Sequence, residues 1–241
     1  MKILGIIPAR SSSKRLPRKN MLQLDKLPLI SYTIDSARKS KLINKIFIST
    51  DSKQIAKICK SKGIMVPILR PKKLSQDNTS SVSVIKHVLS YLQKNENYNP
   101  DIILLLQPTS PFRTSQLIDK SIRLLIKSKA SSVISVKKIK TELNNSFYYR
   151  NNFLFPYKKF SKTQYSMKNS EIFFPTGSIY VFWKKTLQDY DSIYGPKIKP
   201  IFSKLPETID IDDIFDLFVS KMVLLHWKKF KRRFPNHKII N

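Results

Sequence analysis

The sequence predicts an α/β domain built on a mostly parallel sheet with helices on both faces. Three observations lead there. Short apolar runs recur along the 241 residues; between them apolar residues return at spacings of three and four; and the first run, Ile3-Leu4-Gly5-Ile6-Ile7, empties directly into a loop dense with cations, Pro8 to Asn20. Strand, helix and strand in this rhythm imply right-handed crossovers and a sheet covered on both sides. Ligands of such sheets sit beyond the carboxyl ends of the strands.

After the first strand, Ile30, Ile34 and Ala37 repeat at helical spacing, and Ile46-Phe47-Ile48-Ser49-Thr50 forms a strand ending at Asp51. Met65-Val66-Pro67-Ile68-Leu69 has the same apolar character and is expected to be another strand. Val82, Ile85, Leu89 and Leu92 mark the next helix. Ile102 to Leu106 and Ser132-Val133-Ile134-Ser135-Val136 are further strands. The rhythm breaks between Lys137 and Phe174, where aromatic clusters stand at Phe147-Tyr148-Tyr149 and Phe153-Leu154-Phe155. Long irregular excursions in compact domains are usually functional or interfacial, and exposed aromatics favour an interface. Residues 137–174 are therefore expected to form an insertion that meets a second copy of the chain. Regularity returns at Ser178-Ile179-Tyr180-Val181-Phe182, and a last amphipathic helix begins near Asp213 with Ile214, Leu217, Phe218 and Leu225 inward. The whole chain, 1–241, reads as one domain.

With 41% hydrophobic residues the chain can bury one sizeable core. Its single cysteine, Cys59, has no internal disulfide partner and suits packing. The first apolar run is shorter than the ~7–15 residues of a signal-peptide core, and nothing approaches the ~20 apolar residues of a membrane span, so a cytoplasmic location is expected. A net charge of +29 suits nucleic acid or an anionic surface. The positive charge is spread along the chain, however, and reads as a lysine-rich surface with no dedicated nucleic-acid face. Only the stretch from His226 to Phe234 mixes aromatics and cations densely.

Four further clusters carry chemistry. Gln107-Pro108-Thr109-Ser110-Pro111-Phe112-Arg113 follows a buried strand, and its two prolines fix an amide and two hydroxyls at the sheet edge or simply make a turn. Arg70-Pro71 leads to Asp77-Asn78-Thr79-Ser80-Ser81 at a helix start, which either recognises a ligand or caps the helix. Gly177 either lets a ligand approach the backbone closely or makes a bend. Asp210 and Asp212, two apart in an extended segment, share one face and suit Mg²⁺, which takes one or two carboxylates together with phosphate oxygens. Asp213 reads as a helix cap.

Taken in order, Ile7-Pro8-Ala9-Arg10 with Ser13-Lys14 and Lys19-Asn20, then Ser49-Thr50-Asp51, Arg70-Pro71, the Gln107–Arg113 motif, Gly177-Ser178-Ile179-Tyr180 and Ile209-Asp210-Ile211-Asp212 resemble the acylneuraminate cytidylyltransferases over nearly the whole chain. The resemblance implies transfer of CMP from CTP to a nonulosonic acid with Mg²⁺ as cofactor, and homodimers formed through the insertion. It implies that Arg10, Ser13, Lys14 and Lys19 hold the triphosphate, with Arg10 and Lys19 stabilising charge during transfer. It assigns Asn20, Arg70 and Ser81 to cytidine, Gln107 and Tyr180 to the sugar, and Asp210 with Asp212 to the metal.

The chain also departs from the pattern. Ser11-Ser12 stand where many members carry glycines, Thr176 where many carry asparagine, and Ser166 where sialic-acid enzymes carry an arginine. Lys168 offers only a point charge in compensation. The expected acceptor is accordingly a relative of N-acetylneuraminate, such as a legionaminic or pseudaminic acid. Two other readings stand beside this one. A Kdo cytidylyltransferase is a sister enzyme, but that group resembles a Gln-Gly-Asp-Glu-Pro pattern where this chain has Gln107-Pro108-Thr109-Ser110-Pro111. A noncatalytic anion or nucleic-acid binder explains the net charge but not Asp210 and Asp212.

Overall fold

The computed structural model describes residues 1–138 and 173–233, and the backbone of residues 147–150 and 153–156. β1 (Ile3–Pro8) leads into the cationic loop, which ends in a 3-10 turn over Lys19–Met21 and a small hairpin of β2 (Gln23–Leu24) and β3 (Leu27–Pro28). α1 (Leu29–Arg38), β4 (Lys45–Ser49), α2 (Lys53–Ser61) and α3 (Ser81–Glu96) follow, then β5 (Ile102–Leu105), α4 (Ser115–Lys127) and β6 (Ser132–Lys138). β7 (Phe147–Arg150) and β8 (Phe153–Pro156) pair antiparallel with each other. The remaining elements are β9 (Phe173–Trp183), α5 (Lys184–Tyr190), β10 (Ile198–Phe202) and α6 (Ile214–Arg233).

The main sheet runs in the order β10-β6-β9-β5-β1-β4. All neighbours pair in parallel except β9, which is antiparallel to both β5 and β6. Alternation along each strand sorts the core into two layers. Ile3 and Ile7 of β1, with Ile102 and Leu104 of β5, pack under α1, α2 and α4; Leu4 and Ile6, with Ile103 and Leu105, pack under α3 and α5. Cys59 lies in the first layer, where burial pushes its thiol up to about 12. The mostly parallel sheet with helices on both faces is thus as the sequence predicts.

Two expectations are corrected. Residues 65–69 make no strand, because Pro67 has no N–H for a ladder and Met65 lies 68% exposed, with no core face to occupy. The segment is tethered instead at its end, where the Arg70 N–H donates to the Thr50 carbonyl at 2.7 Å. The last helix forms as expected, but of its four supposed inward residues only Leu217 is buried, while Ile214, Phe218 and Leu225 are 68%, 55% and 64% exposed. α6 does not cover the sheet. It rests Leu217 on a small satellite cluster of Leu16, Leu24, Leu29 and Ile211, which needs only one line of apolar residues. Asp213 does cap it: the Asp216 N–H donates to Asp213, and Asp216 accepts in turn from the N–H groups of Asp212 and Asp213.

Of the segment 137–174, Lys138 and Phe173 are ladder partners, and β7 and β8 form their own ribbon. The side chains of the aromatic clusters, and Ser166 and Lys168, lie outside the described residues.

Candidate active site

β1 has β4 on one flank and β5 on the other, so the chain reverses its direction of winding between β1 and β5. A crevice at such a switch point is where an open α/β sheet receives its ligand. A cavity of about 590 Å³ opens there. Its walls include Arg10, Ser13, Lys14, Lys19 and Asn20 from the loop after β1, Arg70 and Ser81 from one side, Gln107 from the end of β5, and Asp210 with Asp212. Every site residue foreseen from the sequence lines this cavity except Tyr180. Tyr180 is opposite Leu105 on β9, only 8% exposed, and packed edge-on against Tyr194. Burial, with Tyr194 and Asp210 adding to it, pushes its hydroxyl up to about 12. It backs the wall of the cavity and does not form its surface.

The cationic loop is shaped by its own polar groups. The backbone N–H and the hydroxyl of Ser11 both donate to Asp51, each at 2.7 Å, which pins the loop to the end of β4. Ser11 thus supplies a tether. Arg18 adopts a left-handed conformation (φ 53°) that starts the 3-10 turn, and the Asn20 side chain donates to the Arg10 carbonyl at 2.9 Å. The loop closes on itself around the cavity. Four of its five cations each meet a carboxylate: Arg10 and Lys14 pair with Asp77 at 2.6 and 3.2 Å, Arg15 and Lys19 with Asp212 at 3.0 and 2.9 Å.

Arg70 is buried, with Nε donating to the Ser75 hydroxyl at 3.1 Å and Nη2 left without a partner. Burial lowers its pKa, Asp51 partly opposing and Arg10 reinforcing the effect. At the start of α3 the capping is done by Ser80, which accepts from Ser83 N–H, so Ser81 is not occupied in capping where it lines the cavity.

The acidic end is held by the turn after β5. The Ile211 N–H donates to the Thr109 carbonyl at 2.8 Å, fixing the segment that carries both aspartates. Asp210 is pushed upward by burial, with Thr109 and Lys19 opposing and Asp212 adding, and its Oδ1 is buried without a partner. For Asp212 burial also acts upward, yet Lys19 and Arg15 hold it below the ordinary carboxylate range.

A cytidylyltransferase family model matches residues 4–193. The chain is 35% identical over 227 residues to a CMP-N,N'-diacetyllegionaminic acid synthase of Legionella pneumophila, covering 93% of this chain and 97% of that protein. The chain belongs to the acylneuraminate cytidylyltransferase family. A pseudaminic acid cytidylyltransferase of Campylobacter jejuni is 27% identical, over 92% of this chain and 96% of its own. Among solved structures, a CMP:2-keto-3-deoxy-manno-octonic acid synthetase complexed with CTP superposes with a TM-score of 0.69 at 15% identity, over 94% of this chain and all of that one. That likeness is one of fold.

In this cytidylyltransferase the donor set fits a hard divalent cation. Asp210 presents a buried oxygen with no partner, and Asp212, two residues on, is kept ionised at the same cavity wall. Among the described residues no group of three or more His, Cys, Asp or Glu is placed to hold a metal. Two carboxylates suffice where phosphate oxygens complete the shell, as Mg²⁺ prefers.

Buried Gly177, at φ +74°, lies against the side chains of both Gln107 and Asp210. A Cβ there would stand 2.8 Å from Gln107 Oε1 and 3.2 Å from Asp210 Oδ2. Gly177→Ala should therefore lower stability by about 1–2 kcal/mol through the left-handed backbone alone and reduce turnover at least roughly tenfold by displacing both groups. Denaturant unfolding and steady-state rates measure the two effects, and an alanine variant as active as the unmodified chain would show that neither group needs its present place.

Sequence reasoning gave Arg15 no part in this site. Asp77 and Asp51 stood in clusters it singled out, but not as partners of Arg10, Lys14 and Ser11. Those pairings, like that of Arg15 with Asp212, join residues distant in the chain.

Proposed function

We propose that this enzyme couples CTP to a nonulosonic acid, giving the CMP-sugar and pyrophosphate. One observation carries the reading: a single cavity at the switch point joins a cation-rich loop, a buried arginine with a free donor, and two adjacent carboxylates. Arg10, Ser13, Lys14 and Lys19 bind the triphosphate, whose charge replaces Asp77 as the partner of Arg10 and Lys14. Arg70 offers its free Nη2 to a carbonyl of the cytosine, with Asn20 and Ser81 beside it. Gln107 faces the acceptor, and Tyr180 supports the wall behind it.

In the reaction, the anomeric hydroxyl oxygen of the acceptor bonds to the α-phosphorus, its proton passing to solvent, as the bond from that phosphorus to the departing pyrophosphate breaks. Arg10 and Lys19 stabilise the charge gathering on the departing group. Lys19 is suited to this because its side chain is only 14% exposed and its ammonium is already oriented by Asp212. Asp210 and Asp212 would hold Mg²⁺, which supplies Lewis-acid stabilisation of phosphate oxygens. No nucleophile from the protein is required.

Names of the relatives favour an acceptor of the legionaminic or pseudaminic type over Kdo, whose synthetase shares the fold at 15% identity. Pyrophosphate release from CTP and Mg²⁺ with legionaminic, pseudaminic, N-acetylneuraminic and Kdo acids tests this. Release with a nonulosonic acid is expected, and release with none of them would overturn the reading. Among the described residues no helix is long and apolar enough to cross a membrane. The reading places the enzyme in the cytoplasm, where CTP is made.

The same reading includes a homodimer joined through residues 137–174, supported by the run of aromatics there. Light scattering should give about twice the 28.1 kDa of one chain, and Phe153→Ser with Phe155→Ser should give monomer. A mass of one chain at micromolar concentration would end the proposal.

A further inference from the structure

One buried cation has no part in the chemistry above. Arg113, in the turn after Pro111, is 3% exposed. Its Nε donates to the Ser178 carbonyl at 2.7 Å, Nη1 to the Thr33 hydroxyl at 3.1 Å, and Nη2 to the Gln107 carbonyl. The turn after β5, the middle of β9 and α1 thus converge on one guanidinium. Among the described residues no carboxylate pairs with it. Desolvating a cation without a counter-ion is expensive, and burial drives this one down to about 9, with Asp210 the group that opposes. An apolar side chain would fill the space at lower cost. What the arginine adds is a rigid planar fork that binds three acceptors at once, which neither an apolar residue nor lysine reproduces.

The acceptors it selects are informative. The Gln107 carbonyl belongs to the residue whose carboxamide lines the cavity, and Ser178 follows Gly177, over which that carboxamide lies. β9 is irregular here. Its register against β6 shifts between Ile134 and Val136, and Ser135 holds the irregularity by accepting from Ile179 N–H at 2.8 Å and bonding Thr176 Oγ1 at 2.7 Å. A bulged strand beside a site re-aims side chains and needs an external anchor.

We infer that Arg113 is a positioning residue: by bolting the Gln107 and Ser178 carbonyls together it fixes the Gln107 carboxamide over Gly177 at the acceptor end of the cavity. The inference rests on the reading that Gln107 faces the acceptor. The nucleotide end, built from the β1 loop and Arg70, has anchors of its own in Asp51, Thr50 and Ser75, none of which bonds to Arg113.

Arg113→Lys keeps the charge and loses the fork. It should unfold cooperatively, hold the KM for CTP within about twofold, and lose on the order of tenfold to a hundredfold in kcat/KM for the acceptor. Backbone hydrogen exchange should rise in residues 105–113 and 175–180 of the unliganded protein. Added to Gln107→Ala, Arg113→Lys should cost the acceptor step nothing more. Thr33→Val, which removes one acceptor of the fork and spares the charge, should show the same pattern at smaller size. Equal losses for both substrates at unchanged KM, full additivity with Gln107→Ala, unaltered exchange, or unfolding of both Arg113→Lys and Thr33→Val would overturn the inference. Should the unmodified protein transfer CMP to no acid at all, the proposed function fails, and the exchange measurement still decides the role of Arg113.

Discussion

Asp212→Asn and Asp210→Asn should each abolish turnover while leaving the fold intact. A neutral amide is a much poorer ligand for Mg²⁺ than a carboxylate, and metal stabilisation of phosphate charge is worth several kcal/mol, so a loss of about three orders of magnitude is expected. The two positions fail for different local reasons. Asp210 brings a buried oxygen, Oδ1, with no protein partner, and its replacement removes that ligand together with the negative charge that faces buried Arg113. Asp212 also receives Lys19 and Arg15, so asparagine there frees two cations as well as weakening the metal site. The larger loss belongs to Asp212. Pyrophosphate release at saturating Mg²⁺, with circular dichroism to verify folding, measures both, and near-normal rates in the two variants would refute the metal assignment.

Lys19→Ala should cut turnover by about two to three orders of magnitude, the usual cost of deleting one preorganised charge aimed at a transition state. Its side chain is mostly buried and its ammonium lies 2.9 Å from Asp212, so little reorganisation is left to do when charge develops. The loss should fall on kcat. A rise in the KM for CTP at unchanged kcat would mean that Lys19 binds the ground state equally well and contributes nothing specific to transfer.

How far the site could be read from the sequence follows from the range of the interactions. The loop after β1 was legible because strand, proline and cations are consecutive, and the chemistry of an anion site is local. The aspartate pair was legible because a spacing of two decides a shared face. Apolar character misled at Met65–Leu69, since it reports a wish for burial and says nothing about whether a neighbouring strand can accept Pro67. Periodicity gave α6 its existence but not its covering, which depends on a satellite cluster drawn from Leu16, Leu24, Leu29 and Ile211. Tyr180 shares a face of β9 with Phe182, both packing in the layer under α3 and α5. No pattern in the sequence predicts that this layer closes over its ring. The bonds of Arg113 to Ser178 and Thr33, 65 and 80 residues away, are beyond any local signal.

The reversed direction of β9 reaches further than strand order. Because β9 runs against β5 and β6, its beginning arrives at the sheet edge where those strands end, and Lys138 and Phe173 sit side by side as ladder partners. Everything between them therefore leaves and returns through one gap. A tract spliced into such a gap can grow, shrink or be exchanged without moving a strand, since closing a longer loop adds only about 0.6 kcal/mol per doubling. The cavity residues proposed to hold the nucleotide, from Arg10 to Ser81, all precede Gln107 in the chain. In that sense the chain keeps the loop after β1 apart in sequence from the one gap at which a tract can be exchanged.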